Sequence, residues 1–429
     1  MFGFANFLLL ALFATAVFDL IFALARGGGL RGALHGLWNT PHLLFGQQLA
    51  EWRLQLGRIL FAAGLAAYEI SVVFCNSMAR QNWAWVQGVM SPVLEWLAFL
   101  CFGAKILFGT RYTWRELLAG GALYFIARWV YFNSQNIWWI GIVVAVLAAK
   151  DVSLRRPLQV YFASGCAAMA VVLALHFAGI VAPDLTSERM GALRGTYGYG
   201  HPNTFGGLVF GLVLAYALLR AQKVRWVDCL LVFAIGVFLL VGPASRSAAL
   251  CTLALAVGLV FCRLRAGHSV PRWWPGTCAG MVGLTAAVSY LLPLLVIKVG
   301  PWNNDIGPAW LAKLDSLLTC RISLTWMAYR LLDVKIAGQV FNWPTVDNSF
   351  AFALFQFGPV VAALLGILFA AALWGHAKQG RRVEVCCLFA MLAYAYMEFQ
   401  PFHLTTNPTA LLLCGAVFAQ TSARWQKIE

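Results

Sequence analysis

Apolar runs long enough to cross a hydrocarbon layer recur along the whole chain, and nothing constrains its folding more. They lie at about 4–25, 58–75, 89–108, 116–133, 136–149, 158–181, 203–220, 226–243, 246–262, 275–297, 348–374, 383–400 and 405–423. Inside a bilayer no water meets the backbone, so each run must satisfy its own N–H and C=O groups as a helix. The expected fold class is an all-α polytopic membrane protein of about 12–13 transmembrane helices, a single integral membrane domain over residues 1–429. Composition agrees, with 61% hydrophobic and 11% charged residues, against about a quarter charged in soluble domains. The first run lacks a basic flank and contains Asp19, so it reads as a span and not as a cleaved signal.

Charge orients the spans. Most of the 31 Lys and Arg residues fall in connections starting near Arg26, Lys105, Lys150, Arg220, Arg263 and Lys378 or in the tail, which places these segments on the cytoplasmic side. The net charge of +15 is thus mainly a topology signal. Its cations are scattered over separate loops, which excludes a continuous nucleic-acid patch. Alternation puts the other connections outside, and two of them, about 182–202 and 298–347, are large extracytoplasmic loops that hold most of the unexplained polar residues. The eleven cysteines sit mostly within spans, with Cys320 in an external loop. No CxxC or His-rich spacing predicts a metal site, and no cofactor is expected.

Four polar stretches carry the candidate chemistry. Arg194 to Asn203 combines a cation, glycines, Tyr197 and Tyr199 as stacking surfaces for sugar rings, His201, and Asn203 as a helix N-cap. A turn with a capping Asn is its plain alternative. Arg246, in Pro243-Ala-Ser-Arg-Ser247, lies within a few residues of hydrocarbon on both sides, to be paired, solvated or snorkelling. Leu311 to Val334 has apolar residues near helical spacing and predicts an amphipathic helix bearing Arg321 and Arg330, facing diphosphate or lipid headgroups. Asp347 and Asn348 open the next apolar run, as a cap or as groups facing an external cavity. Glu398 and His403 lie near the same face and rank second.

The order of these motifs resembles the O-antigen ligase and polymerase superfamily, which includes bacterial capsular and O-antigen polysaccharide polymerases. The resemblance rests on Arg-x-x-x-Gly-x-Gly-His-Pro-Asn at 194–203, Ser-Arg-Ser at 245–247, Leu-Thr-Cys-Arg-Ile-Ser-Leu-Thr-Trp at 318–326 and Val-Asp-Asn-Ser-Phe at 346–350, and it runs over roughly 190–375. It implies a glycosyltransferase with a GT-C-type bundle in the bacterial cytoplasmic membrane. The implied donor and acceptor are undecaprenyl-diphosphate-linked oligosaccharides, with membrane lipids, a flippase and a chain-length regulator as further partners. Ligases of this superfamily usually carry His-Asn where this chain has Asp347-Asn348, which favours a repeat-unit polymerase over a glycan ligase. A lipid-linked glycan transporter is the rival from another class, and intramembrane charges such as Glu69 and Arg128 would then mark its pathway.

On this reading Arg194, Arg246, Arg321 and Arg330 meet the diphosphate, and Tyr197, Tyr199, Asn203 and Asn348 meet sugar. His201 or Asp347 accepts the acceptor proton, with the balance toward His201, because a helix start favours the Asp347 anion and weakens it as a base.

Overall fold

The computed structural model describes residues 30–45, 49–181, 187–189, 192–296 and 307–418, with isolated positions between 14 and 24. The run at 4–25 therefore lies mostly outside the described residues, as does the end of the run at 405–423.

Apart from a single turn at Ala79–Asn82, the helices in chain order are α1 (Leu30–Asn39), α2 (Ala50–Cys75), α3 (Val86–Phe108, opening on a π turn), α4 (Trp114–Ser134), α5 (Ile137–Ala148) and α6 (Arg155–Phe177). There follow α7 (Pro202–Leu219), α8 (Trp226–Val241), α9 (Arg246–Leu264), α10 (Trp274–Leu291), α11 (Ala309–Leu317), α12 (Arg321–Leu331), α13 (Ser349–Phe352), α14 (Pro359–Lys378), α15 (Arg382–Met397) and α16 (Cys414–Val417). Among the described residues, seven helices are long and apolar enough to cross a membrane: α2, α3, α6, α7, α9, α10 with its 3-10 extension, and α14. The chain is a multi-pass helical membrane protein. Local chemistry sets the boundaries. Thr113 and Glu116 form a reciprocal capping box at the start of α4, and the Asn136 side chain caps α5 through the Trp138 N–H.

The structure corrects several spans. The run at 348–374 is not one helix. α13 passes into a π turn at Ala353–Phe357, the chain breaks at Gly358 with φ 87°, and α14 restarts at Pro359. A Cβ on Gly358 would lie 2.1 Å from the Ile336 carbonyl oxygen, so this break is locked against the loop before it. The run at 405–423 forms a 3-10 segment, Pro408–Leu413, followed by the short α16. The run at 136–149 forms α5, whose 12 residues rise only about 18 Å, and Trp139 through Ala148 are all buried. It is a core helix wrapped by its neighbours. The amphipathic stretch from Leu311 to Val334 is two helices, α11 and α12, separated by Thr319 and Cys320, both at positive φ. Two short antiparallel ladders also occur, β1 (His42–Leu43) with β2 (Arg111–Tyr112) and β3 (Ser187–Arg189) with β4 (Ala192–Arg194).

Packing joins α2 to α3 and α6, α8 to α9, and α10 to α14; α7 packs against α6, α9 and α15. The alternating direction of the helices brings the basic connections around 105–115, 150–156, 220–225, 263–273 and 378–382 to one end of the bundle. The starts of α7 and α9 and the end of α15 lie together at the other.

Candidate active site

Three helix starts and the end of α15 build the site. At the start of α7 Asn203 is half-buried, and its side-chain amide has two different partners. Its Oδ1 accepts from Arg194 Nη2 at 2.9 Å, and its Nδ2 donates to Glu398 Oε1 at 3.1 Å. At the start of α9, Ser247 Oγ donates to the same Glu398 oxygen at 2.8 Å. At the start of α12, Arg321 Nη2 reaches it at 2.5 Å and also donates to Ser247 Oγ at 3.3 Å. Glu398 follows the last residue of α15 and is 3% exposed. One carboxylate oxygen thus takes donors from three distant parts of the chain, while Oε2 accepts no hydrogen bond from a described residue.

Each member is held from behind. Arg194 Nη2 also donates to the Ala244 carbonyl at 3.2 Å. Arg321 Nε donates to the Met397 carbonyl, and Nη1 donates to the Leu318 carbonyl at 2.8 Å. Asp315 of α11 accepts from the Ile322 and Ser323 backbone N–H groups and from Ser323 Oγ. It thereby caps α12 from outside and fixes the turn that delivers Arg321. Ser349 Oγ donates to the Glu398 carbonyl at 2.5 Å, tying α13 to the same point. Close approach is possible because α7 is thin on this face: a Cβ on Gly206 would lie 2.3 Å from Ser245 Oγ, and one on Gly207 2.0 Å from Gln400 Oε1.

The electrostatics follow from burial. Arg194, Arg321 and Glu398 are all buried. A charge in such a place is tolerated when paired and hydrogen-bonded, and deleting one partner costs about 3–5 kcal/mol. Burial pushes the Glu398 carboxyl up to about 6, against the opposing pull of Arg321. Asp347 stands at the rim, Oδ2 4.0 Å from Arg321 Nη2, with its side chain 23% exposed. Burial raises its carboxyl above the usual range, with Arg321 opposing. Its carboxylate accepts no hydrogen bond from a described residue.

The expected site residues divide clearly. Arg194, Asn203, Arg321, Asp347 and Glu398 meet in one network, and half-buried Arg246 stands between two of its serines, Ser245 and Ser247. His201 is exposed and is the N-cap of α7, with Nδ1 accepting the Asn203 N–H at 3.1 Å. In the neutral ring the proton then sits on Nε2, so the lone pair a base would use is already engaged. This geometry speaks against His201 as the base. Desolvation and Arg194 both lower its pKa.

Tyr199 is fully enclosed and packs on Phe205, so it presents no face to a sugar, whereas Tyr197 is half-buried between Phe205 and Phe238. Asn348 is a buried N-cap that accepts from the Phe350 and Ala351 N–H groups, and its amide donates to Ser289 and Tyr396. Arg330 lies nine residues beyond Arg321, about 13 Å along α12, exposed and over its own Trp326 ring. His403 sits against Trp138 with ring centroids 3.9 Å apart, and burial lowers its pKa to about 3.

Sequence reasoning missed Ser247, Ser349 and Asp315. The Ser-Arg-Ser stretch drew attention to its arginine, yet the serine after it carries the contact. Ranking Glu398 second reflected its place at the end of an apolar run. The signal that would have raised it is the cost of a carboxylate there without a partner.

No family model, no curated protein and no solved structure matches the chain.

Proposed function

We propose that the protein is a membrane glycosyltransferase, a polysaccharide repeat-unit polymerase that extends glycans on a polyprenyl diphosphate carrier. The observation that carries this reading is the convergence on Glu398. Four stretches that in sequence order resemble the O-antigen ligase and polymerase superfamily, 194–203, 245–247, 318–326 and 346–350, supply Asn203, Ser247, Arg321 and Ser349 to the buried carboxylate and backbone carbonyl of Glu398, with Arg194 bonded to Asn203 and Asp347 beside Arg321.

The chemistry runs as follows. The acceptor hydroxyl oxygen forms a bond to the anomeric carbon of the donor glycan as the carbon–oxygen bond to diphosphate breaks. The bonding electrons leave with the diphosphate, and the hydroxyl proton passes to Asp347, the accessible carboxylate. Negative charge grows on the diphosphate, where fixed cations act most strongly, each well-placed donor contributing about 3 kcal/mol. Arg194, bonded to Asn203 at the start of α7, and Arg246, the first residue of α9, are the cations assigned to that charge, helped by the two helix N-termini. Arg321 has Nε, Nη1 and Nη2 all donating to protein, so its part is to hold Glu398 and Asp347 in register. The GT-C-type bundle belongs to this same proposal, as does the placement of the site on the extracytoplasmic side.

The test is chain extension by the purified protein in detergent, given undecaprenyl-diphosphate-linked repeat units and no nucleotide sugar. A ladder of products is expected. Absence of extension by folded protein, together with surface glycan in a null strain that stays long but stranded on the carrier lipid, would replace polymerase with ligase.

A further inference from the structure

At the end of the bundle opposite Glu398 lies a cavity of about 550 Å³ that the proposed reaction does not use. Its wall carries Arg155, Lys223, Arg263, Arg381 and Arg382, with Glu384 as the single carboxylate. The preference for basic residues on one side of a membrane accounts for their number. It does not account for cations from four separate connections meeting around one concavity.

Two further observations point to an anion. α6 and α15 both begin at this cavity, and neither has a side-chain cap hydrogen bond. The 23-residue α6 thus brings the Arg155 and Arg156 N–H groups, which donate to no described residue, and the positive end of its dipole to the cavity, whereas in α15 the Arg382 N–H donates to the Gly380 carbonyl and Glu384 lies in the first turn. The cations also differ in what they do. Arg382 is committed to the fold, donating through Nη1 to the Arg265 carbonyl at 2.7 Å and through Nη2 to the His268 carbonyl. Arg155, Lys223 and Arg263 are exposed, and their side chains make no hydrogen bond or ion pair with a described residue. Below them Leu158, Leu218 and Leu412 make an apolar wall.

We propose that this cavity binds a phosphate-bearing anion, with the headgroup of an anionic membrane lipid as its occupant. Phosphate oxygens would meet Arg155, Lys223, Arg263 and the start of α6, and the leucine wall would take the first methylenes of the acyl chains. Free phosphate or diphosphate shares the headgroup chemistry but leaves the apolar wall unused. The assignment is independent of the glycosyltransferase reading.

The experiment follows thermal unfolding of the full-length protein in neutral detergent by tryptophan fluorescence. Mixed micelles containing phosphatidylglycerol, mixed micelles containing phosphatidylcholine, and sodium pyrophosphate are titrated separately. Phosphatidylglycerol is expected to raise Tm saturably and phosphatidylcholine is not. The double variant Lys223→Gln/Arg263→Gln should bind the anionic lipid about twenty-five-fold more weakly, each surface cation contributing about fivefold. Both positions are exposed, so folding should survive the change. A control, Arg31→Gln/Arg272→Gln, removes the same charge from exposed positions outside the cavity and should respond like wild type. A shift from pyrophosphate that matches the lipid's and disappears in the double variant supports the anion site but assigns it to a soluble anion. No shift from either anion, an equal shift from phosphatidylcholine, or equal loss in the control would overturn the proposal.

Discussion

At Glu398 a buried oxygen is shared by Asn203, Ser247 and Arg321, so small changes in donor geometry should have large effects. Arg321 spreads its donors over two carbonyls, a hydroxyl and a carboxylate. A lysine keeps the charge but concentrates three donors on one nitrogen and cannot span them. Arg321→Lys should lower kcat/KM for extension by at least about tenfold, or about 1.4 kcal/mol in the barrier; near-normal polymer at equal expression would reduce the residue to packing. The proton acceptor can be separated from the helix cap in the same assay. Asp347→Asn should cost at least about a hundredfold in kcat, the scale of a lost general base. His201→Ala should cost mainly the cap, about 1 kcal/mol of stability, with most activity retained. The pH profile carries a sign. A base works deprotonated, and burial raises Asp347, so as pH falls activity should be lost at a higher pH than the ordinary aspartate value of about 3.9. That acid limb should persist in His201→Ala. Its disappearance there would return the role to His201.

Among the elements, α7 determines how closely the others approach. Its Gly207 faces Gln400 Oε1 and Tyr394 Oη, which would lie 2.0 and 2.8 Å from an added Cβ. Gly207→Ala should destabilise the protein by about 1–3 kcal/mol through overpacking, read as a lower Tm in detergent. Gly280→Ala, in α10 with nothing within 4 Å of the added carbon, should be neutral or slightly stabilising. The helices were legible in the sequence because apolar length alone demands them. The breaks at Thr319–Cys320 and Gly358 were not, because hydrophobic spacing continues across both and only tertiary contacts select the kink. Among the site residues, Arg194, Arg321 and Asp347 were legible as charges beside hydrocarbon. The burial of Tyr199 and the use of His201 as a cap were not, since a Gly-rich polar loop reads the same whether its aromatics face solvent or the core. Glu398 was under-ranked because its partners Asn203, Ser247 and Arg321 lie 195, 151 and 77 residues away in sequence.

Across the whole molecule, α7, α9 and α15 each run from the Glu398 network to the cationic cavity, and the 18 residues of α7 make that separation about 27 Å. The two sites should therefore face opposite aqueous compartments. Cys320 offers a direct check, because it is exposed beside Arg321 while every other cysteine is buried or half-buried. An impermeant thiol reagent should label intact cells, and Cys320→Ala should abolish the labelling. Labelling only after permeabilisation would invert the orientation. The order of synthesis adds a final consequence. Arg194, Arg246 and Arg321 all leave the ribosome before Glu398, which trails Arg321 by 77 residues. At ordinary translation rates that gap is roughly 4–15 s, during which a guanidinium destined for burial waits without its closest counter-charge. The nascent chain must keep Arg321 near water until α15 has been inserted, so closure of the network is the step by which the finished protein differs from its own unfinished chain.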